Sequence, residues 1–233
     1  MIMSVLRIKG NLVLRILISM NILLVVCIFF LYRPDNWPVG LESLGCLVSF
    51  ILLAITLFLA CRLRKKLIDD RQQRNVTIGL GLGLLWTVEI SINNFIHPEL
   101  PLRDHIDNLF LFVIEFLVLG RAAMDAYYGG KILPGLKSGF WTGMASGAVA
   151  CFTALALVVC GMPFLLSDPL NIKEWADVRA TAGTPDMAVY FAYQTFAGGL
   201  MHLFVLGIIV GLILGSAGGL MGWAARKIAG VRA

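Results

Sequence analysis

Residues 77–97 read TIGLGLGLLWTVEISINNFIH. The first twelve are apolar enough for the interior of a membrane. The next nine bring Glu89, Ser91, Asn93, Asn94 and His97 into the same segment. How this stretch is read decides the fold. A crossing of the hydrocarbon core takes about 20 mostly apolar residues, and 77–97 has that length. On this reading the polar residues lie at membrane depth, where they need partners.

The rest of the chain agrees. It has 233 residues, 59% of them hydrophobic and 14% charged. A soluble domain carries about 25% charged residues, so the shortfall indicates an integral membrane protein. Six segments meet the length requirement, near 12–32, 42–61, 76–97, 105–124, 138–162 and 187–224. Unpaired backbone groups are too costly in lipid, which makes the crossings helical. The expected fold is an all-α bundle of six transmembrane helices forming a single transmembrane domain over 1–233.

Basic residues orient it. With the N-terminus in the cytoplasm, fifteen of the nineteen Lys and Arg residues fall inside. Only Arg33, Arg103, Lys173 and Arg179 fall outside. The positive-inside rule then places both termini in the cytoplasm of a bacterial-type inner membrane. The densest basic run, RLRKKLIDDRQQR at 62–74, includes Arg62, Arg64, Lys65 and Lys66. It serves as a topological anchor or as a docking site for a cytoplasmic partner. The apolar N-terminal stretch is followed by Arg33, Pro34 and Asp35 and no small-residue cleavage site, so it reads as an uncleaved anchor. In the longest outer loop, Ser167 or Asp168 before Pro169 is expected to cap an interfacial helix over 169–181. Thr184-Pro185-Asp186 is expected to supply the cap and first turn of the last span. The five cysteines make no CxxC pair and read as small packing residues.

Two glycine rows stand out. Gly135, Gly139, Gly143 and Gly147 open span five, and Gly207, Gly211, Gly215 and Gly219 close span six. Each row forms a smooth stripe on one helix face. In antiparallel helices they reach matching depths and predict close pairing, since bare backbones can approach each other. A sliding surface and a self-association face are the functional alternatives. Span six is long enough either to project outward or to break near Gly198-Gly199.

The polar residues of 88–97 acquire a counterpart in span four. With the outer turn centred near residue 102, Glu89 and Glu115 reach similar depth. Helical phase puts Glu89, Asn93 and His97 on one face of span three. Asp104, Asn108 and Glu115 share a face of span four, while Asn94 points elsewhere. A charged carboxylate at mid-membrane costs at least about 2.5–3.5 kcal/mol, so a proton, a cation, a cationic substrate or neighbouring donors must compensate. Glu89, Asn93, His97, Asn108 and Glu115 are thus the candidate ion- or substrate-binding residues. The alternatives are polar adhesion between helices and contact with another subunit.

Other chemistry finds little support. His97 and His105 flank the outer turn without a compact metal-ligand pattern. GLGLG at 79–83 follows no strand and is no dinucleotide loop. Ser146 and His202 are expected at different depths, which argues against a serine nucleophile. No cofactor is implied, and nucleic acid is an unlikely partner because Lys and Arg are not interleaved with aromatics. The lipid bilayer is the expected environment. The leading reading is a transport component, either a permease subunit or a small ion-coupled carrier. The alternative is a non-catalytic scaffold or accessory subunit. The six-span topology matches that of permeases driven by a separate cytoplasmic ATPase, so an ATPase, other membrane subunits or a second copy are the possible partners.

Overall fold

The computed structural model describes residues 2–32, 48, 51–56, 58, 70–182 and 184–230. Every element among the described residues is helical. In chain order we label them α1 (Ile2–Leu31), α2 (Asp70–Ser91), α3 (Leu102–Gly129), α4 (Ile132–Cys160), α5 (Met162–Ser167), α6 (Pro169–Val178), α7 (Met187–Met201) and α8 (Gly211–Ile228). A π-helical turn, Ile92–Ile96, extends α2, and a longer π stretch, His202–Val210, joins α7 to α8.

Among the described residues, four helical segments are long and apolar enough to cross a membrane: Leu12–Leu31, Arg71–Ile96, Ile132–Cys160 and Met187–Ile228. Six were expected. Most of the second expected span, 42–61, lies outside the described residues, although 51–56 are helical. The expected span 105–124 lies within α3. That helix has the length, at 28 residues, but Arg103, Asp104, Asp107, Glu115, Arg121 and Asp125 leave charge along all of it. The docking residues Arg62, Arg64, Lys65 and Lys66 are outside the described residues.

Helix α4 occupies the centre and contacts α1, α2, α3, α7 and α8. Many of its residues are small: Gly, Ala, Ser and Thr make up most of 138–148, where every residue but Phe140 is buried. A thin helix lets several neighbours approach at once, which suits association without a hydrophobic driving force. Gly135 lies against Gly219, where an added Cβ would stand 2.5 Å from the Gly219 Cα. Gly139 lies between Gly211 and Gly215, Gly143 between Gly207 and Gly211, and Gly147 between Leu203 and Gly207. The two rows therefore interleave, backbone on backbone, along the whole α4–α8 contact.

Glycines outside those rows repeat the device. Gly79 and Gly83 of α2 face Thr142, Ala145 and Val149 of α4, whereas Gly81 between them meets nothing within 4 Å. Gly218 and Gly222 lay the other side of α8 on Leu119, Ala122 and Ala123 of α3. Helix α1 docks on α4 by polar contacts as well as apolar ones. Asn21 Nδ2 donates to the Ala148 carbonyl (3.1 Å) and Tyr32 Oη to the Val158 carbonyl (3.1 Å).

The last helix does not break at Gly198-Gly199. It runs for 42 residues, about 63 Å at the usual rise, and changes only its hydrogen-bond pattern, from α to π at His202. The outer interfacial helix is α6, somewhat shorter than the expected 169–181. Asp168 caps it by accepting from the Leu170 amide (3.0 Å), and Asp186 caps α7 through Ala188 (2.7 Å). These caps satisfy amides that the first helical turn leaves without partners.

Candidate functional site

The α2–α3 hairpin carries two of the three buried carboxyl side chains among the described residues, Glu89 and Asp125. After the π turn, His97 adopts a left-handed backbone (φ 54°). The chain reverses over 97–101, and α3 starts at Leu102. Reversal this early brings Glu89 opposite Asp107. Asn93 Nδ2 donates to both carboxyl groups, 2.6 Å to Glu89 Oε1 and 2.7 Å to Asp107 Oδ1. Glu89 and Asn93 are buried, and the shared amide holds the two carboxyl groups side by side.

Two acidic groups on one amide need a further positive charge. The nearby Arg103 guanidinium of α3 is committed to Asp168 (2.8 Å). Asp168 is fully buried, with one oxygen on Arg103 and the other on the α6 cap. A proton or a small cation between Glu89 and Asp107 would offset their repulsion.

This arrangement revises the expected row in three places. Glu115 does not share the Glu89 network, because the turn is centred about three residues earlier than residue 102. His97 leaves the row at the left-handed turn, and its Nε2 meets the Asn94 carbonyl (2.7 Å). Asn108 is exposed and bonds back to the Asp104 carbonyl (2.7 Å). The face of α3 turned inward carries Asp107, Ile114, Val118 and Asp125, one residue out of phase with the expected Asp104–Asn108–Glu115 face. One helical residue is a rotation of about 100°, enough to exchange Asp107 for Asn108. Asn94 stays out of the row, donating to the Ile90 carbonyl (2.7 Å).

Glu115 lines a separate cavity of ≈ 20 Å³ with Trp86, Ser146 and the glycines of the α4–α8 seam. That is room for about one water. Ser146 Oγ is buried there without a hydrogen-bond partner.

A second polar cluster lies at the other end of the hairpin and was not foreseen. Asn75 Nδ2 donates to Asp125 Oδ2 (2.8 Å), and Arg121 donates through Nε to Asn75 Oδ1 (2.7 Å) and through Nη2 to Asp125 Oδ1 (2.9 Å). Three side chains thereby close a ring, with Asn75 and Asp125 buried. The signal available in sequence was an i, i+4 Arg–Asp pair on α3, with Asn75 near the matching depth on α2.

Toward the outer turn, a cleft of ≈ 240 Å³ opens between α2, α4 and α7. Asn94, Arg103, Asn171, Gln194 and His202 give it polar walls, and Ile90, Leu157 and Phe191 give it apolar ones. His202 packs edge-on against Trp86 (4.8 Å between ring centres) and bonds through Nδ1 to the Gly198 carbonyl (2.8 Å). An added Cβ at Gly147 would stand 2.5 Å from the His202 carbonyl oxygen. His202 and Ser146 thus lie at neighbouring depths, contrary to expectation, but Ser146 makes no hydrogen bond to the imidazole. Among the described residues no three His, Cys, Asp or Glu side chains cluster to hold a metal ion.

Scanned against known protein families, curated proteins and solved structures, the chain matches none of them.

Proposed function

We propose that this multi-pass membrane protein is a transport component, a permease subunit or a small ion-coupled carrier, with Glu89, Asn93 and Asp107 as its proton- or cation-responsive element. The observation that carries the reading is the single Asn93 amide held between two carboxyl groups, 2.6 and 2.7 Å away, inside a segment apolar enough to span a bilayer. Ionisable groups at such depth are expensive, and they characteristically mark ion or substrate pathways. The adjacent cleft of ≈ 240 Å³ supplies a compartment of mixed polarity beside the pair.

The proposal includes six crossings with both termini in the cytoplasm of a bacterial-type membrane. Exposed Leu109, Phe112, Phe116 and Leu117 give α3 a lipid-compatible face despite its charges, and exposed Val48, Ile51, Leu52, Ile55 and Phe58 do the same for the second crossing. The excess of Lys and Arg on one side supports the direction. In the permease form, a separate ATPase would dock at the basic inner face.

The test uses purified full-length protein in liposomes, with proton flux read by an entrapped pH-sensitive dye and sodium flux by a cation-sensitive one. Wild-type protein is expected to dissipate an imposed gradient faster than empty liposomes. Glu89→Gln and Asp107→Asn, folded to wild-type levels, should each lower that flux by about tenfold or more. Flux that is unchanged in both variants reduces the network to helix adhesion. No flux from wild-type protein rules out the carrier, and the permease subunit then requires an ATPase that copurifies from the native membrane.

A further inference from the structure

We infer that the end of the bundle opposite the outer turn holds a binding pocket for a phosphate-bearing anion, seated at the depth of the lipid headgroups. The pocket has a volume of ≈ 150 Å³ and lies where α2 and α4 begin. Arg71, Lys131 and Lys137 supply three positive charges to its wall. Asp125 also lines it, but that carboxylate is already bonded by Arg121 and Asn75. Among the described residues, Lys131 and Lys137 therefore give the pocket positive charge that no carboxylate offsets.

Two other cations at this end are engaged elsewhere. Arg226 donates to the Tyr127 and Tyr128 carbonyls at the end of α3 (2.9 and 3.2 Å), and Lys227 lies over the Trp223 ring (5.0 Å). Lys131 and Lys137 have no carboxylate partner among the described residues. The α4 helix also opens here with no side-chain cap on its first turn, so its positive end adds to the field. Candidate crossings begin at Arg71 and at Ile132. The pocket accordingly sits at a membrane boundary, whichever side of the bilayer that is. Basic pockets between transmembrane helices bind anionic headgroups by this chemistry. The ligand is an anionic phosphodiester of a lipid or a free phosphate.

Thermal unfolding of the full chain in neutral detergent separates the sources. The titrants are dihexanoyl phosphatidylglycerol, dihexanoyl phosphatidylcholine and inorganic phosphate at matched ionic strength. A ligand that binds only folded protein raises the unfolding temperature with its concentration. Phosphatidylglycerol raising it more than phosphatidylcholine identifies a lipid headgroup site; inorganic phosphate matching phosphatidylglycerol identifies a free-phosphate site. Lys131→Gln/Lys137→Gln is expected to weaken binding by about thirtyfold. Lys131→Arg/Lys137→Arg should retain it, and Lys227→Gln should leave it unchanged. Equal responses to phosphatidylglycerol and phosphatidylcholine with none to phosphate, or undiminished binding by the double Gln variant, overturns the proposal.

Discussion

The α4–α8 interface and the α2–α3 interface pair helices by opposite means. In the first, Gly135 to Gly147 and Gly207 to Gly219 interleave with no side chain between them. In the second, Glu89, Asn93 and Asp107 at one end and Asn75, Arg121 and Asp125 at the other join the helices through side-chain hydrogen bonds. A glycine interface admits nothing, so its specificity is steric. The polar interface is permissive of shape but demands that every donor and acceptor find its partner. The contrast teaches that the seam fixes helix separation, whereas the hairpin leaves groups whose charge state can change.

Three substitutions sharpen that contrast. The largest effect is expected from Gly143→Leu, which drives a side chain into the Gly207 carbonyl. Backbone cannot rotate aside as a side chain can. The loss should exceed about 3 kcal/mol, at the upper end of overpacking costs, and should appear as little monodisperse protein in detergent. Wild-type stability in Gly143→Leu and Gly211→Leu would show that the seam is loose.

Next is Asp125→Asn, which removes the charge from the Asn75–Arg121–Asp125 ring. Arg121 is then left partly buried with only neutral acceptors. We expect destabilisation by about 2–3 kcal/mol, discounted from the full cost of a buried broken pair because Arg121 is partly exposed. Detergent unfolding curves measure it, and Arg121→Gln/Asp125→Asn together should recover part of the loss.

The smallest effect carries the opposite sign. Gly81→Ala adds a methyl group where nothing lies within 4 Å and should stabilise α2 by about 0.5–1 kcal/mol. Gly79→Ala and Gly83→Ala, two residues to either side, should destabilise by clashing with Thr142 and Val149. If all three behave alike, the glycines of α2 do not distinguish a packed face from a free one.

Particular residues explain why one interface was legible and the other only in part. A row of four glycines at a four-residue spacing has a single face, so Gly135–Gly147 could be matched to Gly207–Gly219 from spacing alone. The polar row had no such guarantee. Its pairing depended on where the hairpin reverses, and the π turn at Ile92–Ile96 with left-handed His97 brought the reversal forward. That shift exchanged Glu115 for Asp107. The choice of face on α3 went to the row with the most polar residues, while the inward face carries Ile114 and Val118 between its two acids. The Asn75–Arg121–Asp125 ring went unseen because each member, taken singly, reads as membrane-edge polarity.

Composition and local periodicity by themselves determined that the chain is helical and suited to a membrane, where its glycine stripes run, and near which residues α6 and α7 begin. Each of these is a property of one segment in its solvent, and lipid leaves the backbone few alternatives to helix. Only the tertiary structure decided which acid Glu89 meets, that Arg121 and Asp125 close on Asn75, that the last helix passes Gly198-Gly199 unbroken, and that Arg71, Lys131 and Lys137 surround one pocket. Those outcomes depend on rotation about helix axes and on turn geometry. A single residue's change in phase turns a helix by about 100° and replaces one neighbour with another.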